Sequence, residues 1–173
     1  KPFFLCHPPD WVLKGKLFDR PTYKTGHIIH WRQSRTGNAL LRKEIFDGLD
    51  EVFRPQFGLG GEDVDFFERM AKRGHKFVWS NEADIYEVIP QNRCTRRYLL
   101  RRALLRGKNS MKREGNRVFS VGKSIVAIPV YALGLPLLFV LGHHHFMKYL
   151  IKCCDHAGKI LEILGCNMIR VRE

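Results

Sequence analysis

The sequence predicts an α/β protein whose last third forms a separate helical segment. Short strand-like stretches alternate with helical patterns as far as Arg117, which is the pattern of an α/β fold. Composition then changes abruptly, because Val118 opens a long apolar stretch. We therefore divide the chain into an α/β region, residues 1–117, and a helical, membrane-associated tail, residues 118–173.

Length and charge bound the class of the protein and its partners. The 173 residues suffice for a domain with a buried core, and a start at Lys1 without an initiator methionine suggests a fragment of a longer protein. Thirty Lys and Arg against 17 Asp and Glu give a net charge of +13, which predicts phosphates, nucleic acid or an anionic membrane surface as partners. The five cysteines contain no C-x-x-C pair, which favours a reducing, cytosolic setting and argues against structural zinc.

The first part of the chain predicts irregular structure held by aromatic anchors. Residues 1–31 show no sustained period of 2 or 3.6 and are rich in Pro and aromatic residues, so we expect an extended segment. In Arg35–Arg42 a polar turn precedes a short apolar run, which predicts a short buried strand. Asn38 either caps this turn or contacts a ligand. Lys43–Phe46 continues as helix or turn.

The stretch Phe57–Met70 contains the main candidate site. Two glycines, Gly60 and Gly61, precede two adjacent carboxylates, Glu62 and Asp63, and glycine permits a sharp turn with open space in front of those side chains. A helix is predicted from here to Gly74, with Val64, Phe67 and Ala71 on its apolar face. Carboxylates in a first helical turn serve as ordinary caps or as catalytic groups, and the local pattern fits both.

Two strands and a basic helix follow. The strands are predicted at His75–Trp79 and Ala83–Val88, Pro90 ends the extended run, and Thr95–Lys112 predicts a helix. Its basic residues either form a solvated face, rest on anionic lipid, or grip a diphosphate with the guanidinium fork. The basic residues of this region are Arg93, Arg96, Arg97, Arg101, Arg102, Arg106, Lys108, Lys112, Arg113 and Arg117.

The tail predicts contact with a membrane. Ser124–Gly142 is a run of 19 residues without a charge, close to the roughly 20 residues that cross a bilayer as a helix. Pro129 and Pro136 interrupt it, so an interfacial hairpin fits as well as a span. His143–His145 predicts a polar turn rather than a metal site, and Met147–Leu164 predicts an amphipathic helix. Its apolar side is formed by Leu150, Cys154, Ala157, Leu161 and Leu164.

Three features together carry a family resemblance. They are the segment Arg35–Arg42, the Gly-Gly-Glu-Asp stretch Phe57–Phe67 and the Arg-rich helix after Pro90. The chain thereby resembles the second half of a family 2 glycosyltransferase, and more narrowly the bacterial inverting enzymes that build exopolysaccharide and other surface glycans. The similarity includes Pro8–Trp11 and Phe18–Pro21 and so extends over the α/β region.

The resemblance implies a Rossmann-like GT-A fold and a set of roles. A nucleotide-sugar donor binds the N-terminal half of such enzymes, and a glycan or lipid-linked acceptor meets the C-terminal half. The general base falls on Asp63, Glu62 either orients the loop or binds an acceptor hydroxyl, and Gly61 and Asn38 become substrate contacts. Arg97 falls where the family has the arginine of a Gln-x-x-Arg-Trp motif, although Cys94 and Tyr98 replace the Gln and the Trp. The competing candidates for the diphosphate or acceptor are Arg93, Arg102 and Arg106.

The resemblance also implies a divalent metal ion, Mg²⁺ or Mn²⁺. The Asp-x-Asp motif that holds it belongs to the N-terminal half of the family's fold, and Asp63-Val64-Asp65 lies instead inside a predicted helix. We therefore expect the metal ligands mainly outside this chain, with Glu87 able to approach the metal, and we expect the chain alone to be inactive. Asp65 is expected to support structure.

The sequence thus predicts part of a hexosyl-transferring, inverting enzyme of surface polysaccharide synthesis. We expect it at the cytoplasmic face of the cell membrane, peripheral or with a single span. The alternative is a non-enzymatic basic module that binds anionic lipid or nucleic acid; nucleic acid is disfavoured because no recognisable nucleic-acid motif accompanies the charge. A degenerate, scaffold-like transferase remnant is a third reading.

Overall fold

The computed structural model describes residues 1–57, 60–113 and 117–166. The chain forms two compact units. The first unit consists of Lys1 and residues 20–86, and the second consists of residues 2–19 and the chain from residue 87 onward. The predicted domain boundary between residues 117 and 118 stays a prediction.

Helices and short strands follow one another along the chain. Their order is β1 (Pro2–Phe4), α1 (Asp10–Lys14), β2 (Ile28–Ile29), α2 (Glu62–Lys72), β3 (Phe77–Val78), β4 (Glu87–Ile89), α3 (Arg96–Ser110), α4 (Arg117–Leu141) and α5 (His143–Ile163). Short 3-10 turns lie at Trp31–Gln33, Thr36–Asn38, Lys43–Phe46, Pro55–Phe57 and Gln91–Cys94.

The first unit is built around α2. Phe66, Phe67 and Met70 are buried with Ile45 in one cluster, and β2 pairs antiparallel with β3 through Ile28↔Val78 and Ile29↔Phe77. The predicted helix is confirmed, but its predicted apolar face is only partly right. Val64 and Ala71 are half-buried, while the fully buried side includes Asp65. The buried side is rotated toward Phe66 and Met70, and the Asp65 carboxylate is tolerated there because it pairs with Arg69.

The strand predicted after Asn38 is wrong. Ala39 has extended backbone angles, yet the described residues give it no partner strand, and Leu40 is 102% exposed. Extended geometry without a ladder partner does not make a strand, because its N–H and C=O groups then face water. The prediction of helix or turn at Lys43–Phe46 is confirmed as a 3-10 turn. The strand predicted at His75–Trp79 is shortened to β3, and the one predicted at Ala83–Val88 overlaps β4 only at Glu87 and Val88.

The second unit begins with a parallel strand pair. β1 pairs with β4 through Pro2↔Glu87, Phe3↔Val88 and Phe4↔Ile89. Beside it, Val12 of α1 is buried with Ile89 and Cys94. The extended interpretation of residues 1–31 therefore misses α1, a helix of five residues that follows Pro9.

Three long helices complete the second unit. Thr95 caps α3, since its side chain accepts a hydrogen bond from the N–H of Tyr98 at 3.3 Å, and the helix matches the predicted Thr95–Lys112 closely. α4 runs unbroken through Pro129 and Pro136. Gly142, at φ 140°, then reverses the chain into α5, which begins earlier than predicted, at His143. The GT-A half-domain stays a prediction.

Candidate active site

A left-handed glycine turn starts α2. Gly60 has φ 107° and Gly61 has φ 98°, a backbone region that glycine enters without the strain other residues incur. The Gly60 N–H donates to the Phe57 carbonyl at 2.8 Å, and the Gly61 carbonyl accepts the first helical bond from the Asp65 N–H at 2.9 Å. The predicted sharp turn is confirmed; Gly58 and Leu59 of the same stretch lie outside the described residues.

Asp63 is half-buried in the first turn of α2. Its Oδ1 accepts a hydrogen bond from the N–H of Val64 at 2.8 Å. Within the described residues no side chain pairs with its carboxylate, so Oδ2 is available to an incoming group. The N-terminus of a helix is also an electrostatically favourable place for a negative charge.

Glu62 precedes Asp63 in the first turn of α2. Its Oε2 is buried and has no hydrogen-bond partner among the described residues. A buried carboxylate oxygen without a donor is costly, and a hydroxyl group arriving at this turn would supply the missing donor. Gly61, Glu62 and Asp63 are thus presented together by one turn.

Asp65 has a different role. It is 3% exposed, and its Oδ2 lies 3.0 Å from Nε of Arg69 and 3.8 Å from Nε of Arg54. Arg69 also donates to the carbonyl oxygens of Glu51 and Val52, at 3.1 and 2.6 Å. Asp65 therefore anchors a loop to α2, as predicted, and its arginine partners leave Asp63-Val64-Asp65 unsuited to chelate a metal.

A depression of about 550 Å³ lies beside α2 and is not predicted by the sequence. Its basic lining includes Arg54, Arg69 and Arg73. Arg73 donates to the carbonyl oxygens of Asp47 and Gly48, at 3.2 and 3.0 Å. These guanidinium groups already bond to loop carbonyls and to Asp65. The arginines that line the depression therefore hold the loop before α2 in place. Arginines at i and i+4 on a helix were the available signal.

The predicted acceptor contact Asn38 has a structural partner. Its side-chain N–H donates to the Ala83 carbonyl at 2.7 Å, at the surface. Asn38 is the last residue of its 3-10 turn, whose N-cap is Arg35, so the capping alternative is wrong. Its ligand role stays a prediction.

The four predicted arginines all belong to the second unit. Arg93 lies 3.5 Å from Glu87, and Arg106 makes a two-pronged ion pair with Asp155, with Nε to Oδ1 at 2.8 Å. Arg97 and Arg102 are exposed, and no described side chain pairs with either. Arg97 and Arg102 therefore keep the whole guanidinium fork for an anion.

The polar turn predicted at His143–His145 is wrong: the chain reverses at Gly142, and the three histidines open α5, where His143 packs against aromatic rings. His143 stands edge-on to Trp11, with ring centroids 5.7 Å apart, and stacks on Phe146 at 5.9 Å. Burial lowers the pKa of His143, and the charge of Arg96 lowers it further.

Burial also raises the pKa of the Cys94 thiol, which belongs to the core. Within the described residues no three His, Cys, Asp or Glu side chains group as metal ligands.

A comparison with curated proteins identifies a similar protein. The chain is similar to the succinoglycan biosynthesis protein ExoM of Rhizobium meliloti (strain 1021). The two are 34% identical over 173 aligned positions, which cover 93% of this chain and 53% of ExoM. The chain thus spans about half the length of the relative it matches. No family profile matches the chain, and no solved structure matches it.

Proposed function

We propose that the chain is the acceptor-side half of an inverting family 2 glycosyltransferase of GT-A fold, acting in surface polysaccharide synthesis. One observation carries the proposal: a glycine turn presents Glu62 and Asp63 with unengaged carboxylate oxygens, while the neighbouring Asp65 is neutralised by arginine. The similarity to a succinoglycan biosynthesis protein supports a role in making a glycan.

Asp63 is the general base of this proposal. An acceptor hydroxyl gives its proton to Oδ2 of Asp63 while its oxygen bonds to the anomeric carbon of the donor sugar. The bond from that carbon to the nucleoside diphosphate breaks in the same displacement, so the anomeric configuration inverts. Glu62 accepts a hydrogen bond from a second acceptor hydroxyl, and the missing side chain at Gly61 leaves the approach open.

Basic side chains offset the charge on the leaving diphosphate or bind an anionic acceptor. Arg97 and Arg102 are the best placed by their exposure, because planar guanidinium forks match phosphate oxygens. In this proposal the donor site and most ligands of the divalent metal belong to the part of the protein outside this chain, with Glu87 able to approach the metal. The proposed location is the cytoplasmic face of the cell membrane, with a glycan or lipid-linked acceptor.

The test is Asp63→Asn in the full-length protein. Sugar transfer should fall about 100- to 10,000-fold, the usual contribution of a general base, while donor binding measured by calorimetry and the melting temperature stay unchanged. Glu68→Gln is the matched control on the same helix, since Glu68 pairs with Lys72 at 3.7 Å. Near-normal turnover of the Asp63 variant would show that Asp63 is not the general base.

A binding module without catalysis is the competing function, favoured by the exposed basic face of α3. The full-length protein would then bind random DNA or anionic vesicles in a salt-dependent way and release no nucleoside diphosphate from any nucleotide sugar. Diphosphate release that depends on both acceptor and Asp63 excludes this alternative.

A further inference from the structure

The outer side of α4 is strongly apolar. Val118, Leu133 and Val140 are more than four-fifths exposed, and almost none of the most apolar part of α4 is buried inside the protein. Its side toward α5 mixes small, polar and apolar residues. That side includes, at heptad spacing, Ser120, Ser124, Ala127, Tyr131, Gly134 and Leu138, with Val121, Ile128 and Leu135 beside them; Ser124 is fully buried and the others are half-buried. A helix in water shows the reverse pattern.

The outer side of α4 therefore requires an apolar environment. By length and composition α4 could cross a membrane: its 25 residues extend about 37 Å, against about 30 Å for the hydrocarbon core. The same apolar side could equally lie flat in the membrane interface. The neighbours of α4 decide between these two arrangements.

α5 accompanies α4 from Ser124 to Phe139. Tyr131 meets Tyr149 with ring centroids 5.8 Å apart, near the middle of α4. Phe139 meets Phe146 at 5.4 Å toward one end, and Ser124 Oγ lies 2.9 Å from His156 Nδ1 toward the other. The two helices form an antiparallel hairpin, so both must lie at similar depths in any membrane.

α5 carries two lysines opposite the middle of α4. Lys148 and Lys152 are exposed on either side of Tyr149, and Nζ of Lys152 lies 4.7 Å from the Tyr149 ring centroid. If α4 spanned the bilayer, both lysines would lie at the level of its centre, where charged side chains are most costly. α5 is also tied to the arginine-rich α3 by the Arg106–Asp155 ion pair, so a span would draw α3 into the bilayer as well.

We propose that α4 lies in the plane of the membrane interface and does not cross it. Its outer apolar side enters one anionic lipid leaflet, and α5 and α3 lie on the water side. Lys123, Lys148 and Lys152 then lie at headgroup level, where anionic lipids attract them.

Spin labels measure the depth directly. Val118, Leu133 and Val140 lie within about 60° of one another on α4. Each is replaced by cysteine in the full-length protein, with the accessible native cysteines changed to alanine, labelled, and bound to vesicles containing phosphatidylglycerol. In-plane binding gives all three labels the same shallow depth by oxygen and nickel-complex relaxation, and a label at Lys152→Cys stays at headgroup level, outside the hydrocarbon core. A transmembrane span would place the Leu133 label about 10 Å deeper than both others.

The depth pattern is independent of catalysis. The Asp63→Asn variant should give the same depths, so failure of the proposed reaction and failure of this inference can be told apart. A deep Leu133 label overturns the inference in favour of a span. Three water-exposed labels in the presence of vesicles also overturn it, because another protein surface must then cover α4.

Discussion

Gly158 of α5 lies directly against the backbone of Leu104 in α3. A Cβ atom at Gly158 would stand 2.1 Å from the Leu104 carbonyl oxygen, and one at Gly107 would stand 2.0 Å from the carbonyl oxygen of Asp155. The two helices therefore touch at reciprocal glycine sites, where their backbones come closest. The Arg106–Asp155 and Lys108–Glu162 ion pairs lie beside this contact.

Gly158→Ala should destabilise the second unit. The new methyl group meets backbone atoms, which cannot rotate away, so α3 and α5 must separate; overpacking of this kind costs about 1–3 kcal/mol. Thermal unfolding followed by circular dichroism measures the loss. Gly122→Ala in α4 is the control, because a Cβ there meets no atom within 4 Å, and alanine favours a helix over glycine by about 1 kcal/mol. Equal effects of the two substitutions would contradict the close contact.

The sequence could predict the helices but not this contact. Helical periodicity locates α2, α3 and α5 to within a few residues, since each has a local pattern. Gly107 and Gly158 look locally like weak points in a helix, and only tertiary packing explains them. In the same way, a count of apolar residues locates α4 but does not show which side of the helix faces the protein. The heptad spacing of Ser120, Ser124 and Ala127 was the signal for the side that packs against α5.

Asp65→Asn should lower stability without acting on the chemistry. The substitution keeps the shape but leaves Arg69, which is largely buried, without its carboxylate partner, at a cost of roughly 2–3 kcal/mol. Its melting temperature should fall clearly, whereas Glu68→Gln, which breaks a more exposed pair, should change stability by less than about 1 kcal/mol.

Asp63→Asn gives the opposite combination, with an unchanged melting temperature and lost turnover. If Asp65→Asn instead left the melting temperature unchanged and abolished turnover at a temperature where the protein is folded, then Asp65 would be the reacting carboxylate and Asp63 the cap.

The candidate site was only partly predictable for a physical reason. The glycine turn and its two carboxylates are consecutive in sequence, so a local pattern locates them. The partners of Arg106 and Asn38, which are Asp155 and Ala83, lie 49 and 45 residues away in the chain. Sequence periodicity cannot indicate pairs so far apart in the chain. Arg106 and Asn38 were therefore predicted as ligand contacts.

Acid should weaken the contact between α4 and α5 through His156. The Ser124 hydroxyl donates its proton to the Ser120 carbonyl at 2.9 Å, so Nδ1 of His156 donates to Ser124 Oγ at 2.9 Å. Burial lowers the pKa of His156, as do the charges of Lys159 and Lys123, against an opposing effect of Asp155. The folded state thus binds this proton less readily than the unfolded state does.

The stabilising effect of neutral His156 is therefore present above the unfolded pKa of about 6.5 and is lost as the pH falls through the lower folded pKa. The melting temperature should drop between about pH 7.5 and pH 5. His156→Asn, whose amide can replace the Nδ1–H donor, should show a smaller drop, whereas His75→Asn, at an exposed position, should keep the full drop. The assignment to His156 fails if the two variants lose stability equally on acidification, because the pH dependence would then arise from other groups.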